Sequence, residues 1–162
     1  MLNTSMSIRI GRERTVPIDI AREETVGTLL YPEEFDFLHR VYTDPENDSP
    51  KFRFPDLISA CVSIVFADHA NPQRRLIDYA RSELMARNSR GRPKCRSEDM
   101  WPEQYELLRG VQMSPDNRYP NPKFNLGDFT SACVALVMAG AEPQRRILTQ
   151  ARANLLNRVA RR

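Results

Sequence analysis

The chain has few of the residues and motifs that usually carry catalysis. It contains two histidines and three scattered cysteines among 162 residues. No cysteine spacing matches a zinc site, and no Gly-rich phosphate loop, nucleophile elbow or H-E-x-x-H motif occurs. His39 and His69 stand alone in different segments. We therefore expect that the protein is not an enzyme and that it needs no metal and no cofactor.

Long apolar runs are also missing. No stretch approaches the length that spans a membrane, and the first 30 residues lack the apolar core of a signal peptide. Three scattered cysteines fit a reducing compartment. Cys61 and Cys133 lie in apolar segments and are expected to be small core residues, whereas Cys95 stands alone. The sequence predicts a cytoplasmic protein with no membrane partner.

What the chain does have is an internal duplication. Residues 50–87 align with residues 122–158, with one residue missing from a turn, and about half of the aligned positions are identical. Both copies contain the runs Ser-Ala-Cys-Val and Pro-Gln-Arg-Arg. Two copies are too few for a solenoid. They suggest a pseudo-symmetric pair, the single-chain counterpart of a homodimer.

Each copy predicts one strand followed by two helices. Polar and apolar residues alternate, as in strands with one buried face, over Lys51–Phe54 and Lys123–Leu126. Apolar residues at helical spacing follow in both copies. The candidate helix starts are Asp56 and Asp128 as N-caps of the first helix, and Pro72 and Pro143 as first residues of the second.

A strand of about four residues needs a partner for its backbone groups. We therefore predict that the two strands pair antiparallel over the helices and form a two-stranded ribbon. Its inward residues would be Phe52, Phe54, Phe124 and Leu126. Its outward residues would be Lys51, Arg53, Lys123 and Asn125.

A further helix is predicted ahead of each strand. In Tyr31–Leu38 and Trp101–Leu108, proline at the first helical position is followed by carboxylates, which suits a helix N-terminus and its dipole. Tyr31 and Trp101 are interpreted as packing residues, and an aromatic pair that binds a ligand is the alternative. The predicted organisation is mainly helical: an N-terminal arm or hairpin (1–30), a first repeat (31–87), a basic linker (88–100) and a second repeat (101–162).

These features resemble the ribbon-helix-helix family of DNA-binding proteins, of which the Arc and MetJ repressors are homodimeric members. The resemblance rests on the alternating segment, the acidic cap and two helices split by a short turn, over residues 49–87 and 121–158. Two copies in one chain are similar to the single-chain forms found on conjugative and DNA-transferring plasmids. The chain departs from the family in lacking the Gly-x-Ser/Thr turn and in having an extra helical segment before each predicted strand.

The resemblance implies a function. In that family the ribbon enters the major groove and its outward residues read base edges. The implied partner is double-stranded DNA, and the implied role is a transcriptional regulator of conjugation or maintenance genes, or a relaxosome accessory protein, in a bacterial cytoplasm. Because arginine favours guanine and asparagine favours adenine, Arg53 and Asn125 imply an imperfect palindrome. The implied base readers are Lys51, Arg53, Lys123 and Asn125, with Ser49 and Asn121 as outer candidates.

Basic residues are concentrated outside one acidic segment. Residues 23–50 hold eight acids and one base, so the rest of the chain carries +10 against +3 for the whole. A basic remainder suits a polyanion. Helix starts attract anions, and in the family the start of the second helix clamps the DNA backbone. The implied phosphate contacts are Gln73, Arg74, Arg75, Gln144, Arg145 and Arg146; the alternative is that these arginines bridge acids such as Glu33 or Glu103.

Two further basic segments have two interpretations each. The linker residues Arg90, Arg92, Lys94 and Arg96 belong to a flexible solvated segment, contact the DNA backbone, or do both. In the N-terminal segment, Met6–Ile10 and Thr15–Ile20 predict an edge hairpin. The alternative is a basic arm that touches DNA through Arg9, Arg12 and Arg14.

The competing hypothesis is a helical protein-interaction module, an antiactivator or assembly adaptor that does not bind DNA. Its working surface would be the acidic segment 23–48 together with the helices ahead of the predicted strands. An antitoxin is a third possibility. Mutating Lys51 and Lys123 together separates the first two, because DNA regulation should collapse and partner binding should not. The sequence leaves open the operator and self-association on adjacent sites.

Overall fold

The computed structural model describes residues 24–118 and 123–161, and it is mainly helical with one short antiparallel ribbon, as predicted. Within the described residues, no helix has both the length and the apolar character to cross a membrane. The elements are β1 (Val26–Leu30), α1 (Pro32–Thr43), α2 (Phe54–Asp68), α3 (Pro72–Tyr79), a π-helical turn (Ala80–Leu84), α4 (Met85–Arg87), β2 (Arg96–Met100), α5 (Pro102–Gln112), α6 (Pro115–Arg118), α7 (Leu126–Met138) and α8 (Pro143–Ala160).

The strands of the ribbon are not the predicted ones. β1 pairs antiparallel with β2, with Thr28 opposite Glu98 at the centre. The segments Lys51–Arg53 and Lys123–Asn125 are not strands and lead directly into α2 and α7. Their alternation was interpreted correctly as one buried and one exposed side, because Phe52 and Phe124 are buried between exposed neighbours. Assigning them to the ribbon was wrong.

A buried asparagine explains why these segments need no strand partner. Asn47 Oδ1 accepts a hydrogen bond from the Phe52 backbone N–H (2.8 Å), and its Nδ2 donates to the Phe52 carbonyl (2.9 Å) and to one in the last turn of α1 (3.1 Å). Asn117 makes the same three bonds with Phe124 (3.0 and 2.9 Å) and the end of α5 (2.9 Å). The side chains thus satisfy backbone groups that a strand would pair.

The order of strand and helix also differs from the prediction. α1 and α5 follow β1 and β2, whereas the sequence predicted that each of these helices comes before a ribbon strand. β1 lies in the predicted N-terminal arm and β2 in the predicted basic linker. The two strands, Val-Gly-Thr-Leu-Leu and Arg-Ser-Glu-Asp-Met, share no residue at equivalent positions. The duplication therefore gave no signal there.

Most predicted helix starts are confirmed, and two are shifted. Proline occupies the first turn at the predicted starts of α1, α3, α5 and α8. The N-caps of α2 and α7 are Arg53 and Asn125, three residues before the predicted Asp56 and Asp128. Each aspartate instead accepts a hydrogen bond from the N-cap backbone N–H, at 3.1 and 3.0 Å. This is the reciprocal half of a capping box.

The two repeats exchange contacts at the points where each strand enters its helix. The Tyr31 backbone N–H donates to Ser131 Oγ of the second repeat (3.0 Å), and the Trp101 N–H donates to Ser59 Oγ of the first (2.9 Å). β1 packs on α7, and β2 packs on α2. The repeats therefore share one hydrophobic core.

The centre of that core consists of α2 and α7, on which the cysteines lie as expected. Cys61 and Cys133 are fully buried, and burial raises the pKa of both thiols. They are therefore neutral, small apolar residues of the core at physiological pH.

Gly127 is required where the start of α7 approaches the ribbon. A Cβ added at this position would lie 2.9 Å from the Leu29 Cβ. We therefore expect Gly127→Ala to lower the free energy of unfolding by about 1–3 kcal/mol, since overpacking forces a backbone shift. Urea unfolding followed by circular dichroism measures the change.

Gly110→Ala is the matched control, because Gly110 lies inside α5 and an added Cβ there would meet nothing within 4 Å. Alanine should stabilise that helix by about 0.5–1 kcal/mol. Equal stability of Gly127→Ala and wild type would contradict the close approach of α7 and β1.

Candidate nucleic-acid interface

One face of the ribbon is open to solvent. Along each strand, successive side chains lie on opposite faces of the ribbon. Thr28, Leu30 and Met100 are buried on the inner face. The outer face carries four exposed residues and borders an open depression that Pro55 also lines. These outer residues are Gly27, Leu29, Ser97 and Asp99.

The starts of α2 and α7 flank this face on its two sides. Pro55, in the first turn of α2, lines the depression, and Gly127, in the first turn of α7, lies against Leu29. We call the outer ribbon face together with these two helix starts the ribbon pole. It combines one exposed strand ahead of each repeat with the starts of two helices.

All four residues that the sequence predicted as base readers are exposed at or just before the starts of α2 and α7, but none belongs to the ribbon. Arg53 and Asn125 are the N-caps of α2 and α7, and Asn125 Oδ1 accepts a hydrogen bond from a backbone N–H of its own helix (2.9 Å). Lys51 Nζ donates to the Tyr42 carbonyl (3.1 Å) and lies 4.5 Å from the centroid of the Tyr42 ring. Lys123 is exposed. The outer candidate Ser49 is exposed in the loop before α2, and Asn121 lies outside the described residues.

The two Pro-Gln-Arg-Arg helix starts lie away from the ribbon pole. α2 has 15 residues and therefore a length of about 22 Å, and α3 begins beyond its far end. Gln73 Nε2 donates to Ser114 Oγ after α5 (2.7 Å), and Gln144 Nε2 donates to Glu46 after α1 (2.8 Å). Both glutamines thus join the two repeats. We call this end of the molecule the distal pole.

The arginines of the distal pole differ between the repeats. Arg146 pairs with Asp68 (2.7 Å) and Arg145 with Glu142 (3.4 Å). Arg74 and Arg75 are exposed, and their side chains have no ion pair with any residue in the described parts of the chain. The alternative partners suggested by the sequence are occupied elsewhere, because Glu33 pairs with Arg87 and Glu103 with Arg161.

The basic linker is anchored next to the ribbon. Arg92 pairs with the buried carboxylate of Asp128 (2.6 Å), which also accepts a hydrogen bond from the Tyr31 hydroxyl (2.7 Å). Asn88 Nδ2 donates to the same hydroxyl (2.9 Å). Burial raises the pKa of Tyr31 to about 12, so the phenol stays protonated and donates at neutral pH.

The remaining linker cations are exposed. Arg96 stacks its guanidinium 3.9 Å from the centroid of the Phe35 ring, and Arg90 and Lys94 are exposed. Only Arg92 is held by an acid of the second repeat. The linker therefore places Arg92 at the start of α7 and Arg96 against α1.

The same arrangement recurs at the start of α2 with different residues. Trp101 Nε1 donates to Asp56 (2.9 Å), and Arg158 pairs with Asp56 (3.3 Å) while its guanidinium lies 4.1 Å from the centroid of the Trp101 ring. Arg87, the equivalent of Arg158, lies 5.0 Å from the Tyr31 ring. Tyr31 and Trp101 are thus packing residues, as interpreted.

The sequence reasoning missed this network, although its signal was present. Arg87 and Arg158 align in the duplication, as do Asp56 and Asp128.

The predicted N-terminal arm lies outside the described residues. This applies to the arginines Arg9, Arg12 and Arg14 and to the predicted strands Met6–Ile10 and Thr15–Ile20. In the part that is described, no cluster of three or more histidine, cysteine or acidic side chains is arranged to hold a metal ion. In comparisons with protein-family models, curated proteins and solved structures, the chain matches none.

Proposed function

We propose that the chain is a tandem ribbon-helix-helix protein that binds double-stranded DNA in a sequence-specific manner through its ribbon pole. The order of elements supports this: β1 is followed by α1 and α2, and β2 by α5 and α7. One strand lies ahead of each repeat, and the two pair as those of a homodimer would. In this assignment α3 and α8 are additions to the basic unit.

The observation that carries the proposal is the position of the basic residues around the ribbon. Arg53 is exposed as the N-cap of α2, and Lys51 and Lys123 are exposed two residues ahead of the N-caps of α2 and α7. A helix start carries the positive end of the helix dipole, which attracts phosphate. With the ribbon in the major groove, two such sites would hold the backbone on either side.

An interface at the ribbon pole gives the predicted residues different roles. Lys51, Arg53 and Lys123 become phosphate contacts, and the outer ribbon residues become the base readers. Arg90 and Lys94, which are exposed in the linker, would add further phosphate contacts. The biological role we propose is regulation of conjugation or maintenance genes of a mobile element, with relaxosome assembly as the other role of the same binding activity.

A protein-interaction module is the second candidate. It is favoured by the outer ribbon face, which exposes Leu29 beside Asp99 and carries no basic side chain. An apolar residue beside a carboxylate also suits a peptide or protein partner. On this hypothesis the cations at the starts of α2 and α7 would be solvated surface residues.

Selection from a random duplex pool, followed by fluorescence-anisotropy titration at two salt concentrations, tests the proposal. We expect a selected motif that binds at least about 100-fold more tightly than a scrambled duplex, and we expect added salt to weaken both. Failure to bind any duplex at low salt would contradict DNA binding and favour the interaction module. Equal binding of selected and scrambled duplexes would contradict sequence specificity.

The distal pole should contribute little to DNA binding. Arg74→Ala/Arg75→Ala removes two exposed cations about 22 Å from the start of α2, which is more than two Debye lengths at physiological salt. We expect the affinity for the selected duplex to change by less than about threefold. A loss of tenfold or more would show that the phosphate contacts lie where the sequence alone suggested.

A further inference from the structure

We propose that the ribbon binds its site in a single direction, because Leu29 and Asp99 are equivalent positions of opposite chemistry. This inference rests on the proposed DNA binding and names the residues that set its specificity. Leu29 would contact a thymine methyl group, and the Asp99 carboxylate would accept a hydrogen bond from an exocyclic amino group of a base, cytosine N4 in particular.

The register of the ribbon establishes the equivalence. Thr28 lies opposite Glu98, and the pseudo-two-fold axis that relates the repeats passes between them. That axis exchanges Gly27 with Ser97 and Leu29 with Asp99. In a symmetric homodimer each exchanged pair would be identical, so both halves of the DNA site would be read alike. Here neither pair is identical.

Cross-strand pairing leaves the two large outer side chains room to reach a groove. Asp99 lies opposite Gly27, and Leu29 lies opposite Ser97. A Cβ at Gly27 would meet nothing within 4 Å, so the surface around Asp99 is open. Diagonal positions on a ribbon are about 7–8 Å apart, which is about two base pairs along the duplex.

The chemistry of Asp99 limits what it can read. An ionised carboxylate is an acceptor only, and Thr25 Oγ1 already donates to its Oδ2 (3.1 Å). The other oxygen is available for a base donor. In the major groove the donors are the amino groups of cytosine and adenine, and guanine and thymine present acceptors there. Asp99 therefore disfavours guanine and thymine at its position.

The flanks of the ribbon are also unequal. Arg53 presents a guanidinium at the start of α2, whereas Asn125, its equivalent at α7, uses its side chain to cap its own helix. The basic linker reaches the ribbon on the α7 side, where Arg92 meets Asp128. Backbone contacts on the two sides would therefore differ as well, which adds to the preference for one direction.

The test combines selection with affinity cleavage. An iron chelate is attached to Arg90→Cys in a Cys95→Ser background, and cleavage of the selected duplex by the full chain is mapped. We expect a motif that is not palindromic under the ribbon and cleavage on one side of it only. A selected palindrome, or cleavage of equal strength on both sides, would overturn the single direction while leaving DNA binding intact. Selection of no motif at all would overturn both proposals.

A symmetrised ribbon supplies the matched variant. Ser97→Gly/Asp99→Leu makes the outer faces of β1 and β2 identical, and circular dichroism checks that the variant folds. We expect its selected motif to become palindromic, with thymine gained where Asp99 read an amino group, and its affinity for the wild-type site to fall at least tenfold. An unchanged motif would show that these residues do not read bases.

Discussion

Replacing Lys51, Arg53 and Lys123 together with alanine should weaken binding to the selected duplex by about 10²–10³-fold at physiological salt. These residues supply cations beside the starts of α2 and α7, where a phosphate on either side of the ribbon would lie. If each neutralises one phosphate, the slope of log affinity against log salt should fall by about three. Anisotropy titrations over a series of salt concentrations measure both quantities.

A matched triple variant distinguishes the effect of where the charges lie from the effect of the net charge. Arg74→Ala/Arg75→Ala/Arg145→Ala removes three positive charges from exposed positions at the starts of α3 and α8, at the distal pole. We expect its affinity to change less than about threefold, because charges beyond a Debye length are largely screened. Equal losses in the two triple variants would mean that DNA responds only to overall charge, which would contradict a defined interface at the ribbon pole.

The second large effect concerns stability. Asn117→Ala should lower the free energy of unfolding by about 3–5 kcal/mol, since it deletes three hydrogen bonds and leaves a buried N–H and two carbonyls unpaired. Asn117 is fully buried. Asn47→Ala should lower the free energy of unfolding by a similar amount, because Asn47 makes the equivalent hydrogen bonds ahead of α2. Urea unfolding with an unchanged m-value is the measurement.

Asn157→Ala is the control for this effect, because Asn157 is exposed on α8. Its substitution should change stability by about 0.5 kcal/mol or less. If Asn117→Ala and Asn157→Ala lowered the free energy of unfolding equally, the side-chain hydrogen bonds of Asn117 would not be what stabilises the segment before α7.

The helices could be predicted from the sequence because their signals are local and occur twice. Apolar periodicity, a proline in the first turn and a repeated pattern all pointed to the same starts for α3 and α8. The ribbon could not be predicted, since β1 and β2 are short, lack a shared residue and are stabilised by helices distant in sequence. The alternating segments gave a strand signal that Asn47 and Asn117 override through their side-chain hydrogen bonds.

The candidate site was predictable in part for the same reason. Exposure of Lys51, Arg53, Lys123 and Asn125 followed from the alternation and is confirmed. Which surface they border depended on where the ribbon lies, and so did the outer residues Leu29 and Asp99. The anchoring of Arg92 by Asp128 joins residues of the linker and the second repeat that no local pattern connects.

Hydroxyl-radical footprinting of the protein, read by mass spectrometry, tests the interface most directly. Leu29 is 38% exposed on the outer ribbon face, and Met113 is 53% exposed near the distal pole, so both should be oxidised in the free protein. With the selected duplex bound, we predict that oxidation of Leu29 falls at least about fivefold and that oxidation of Met113 is unchanged. Oxidation of Leu29 at the same rate in the complex, or protection of Met113 alone, would contradict binding of DNA through the ribbon pole.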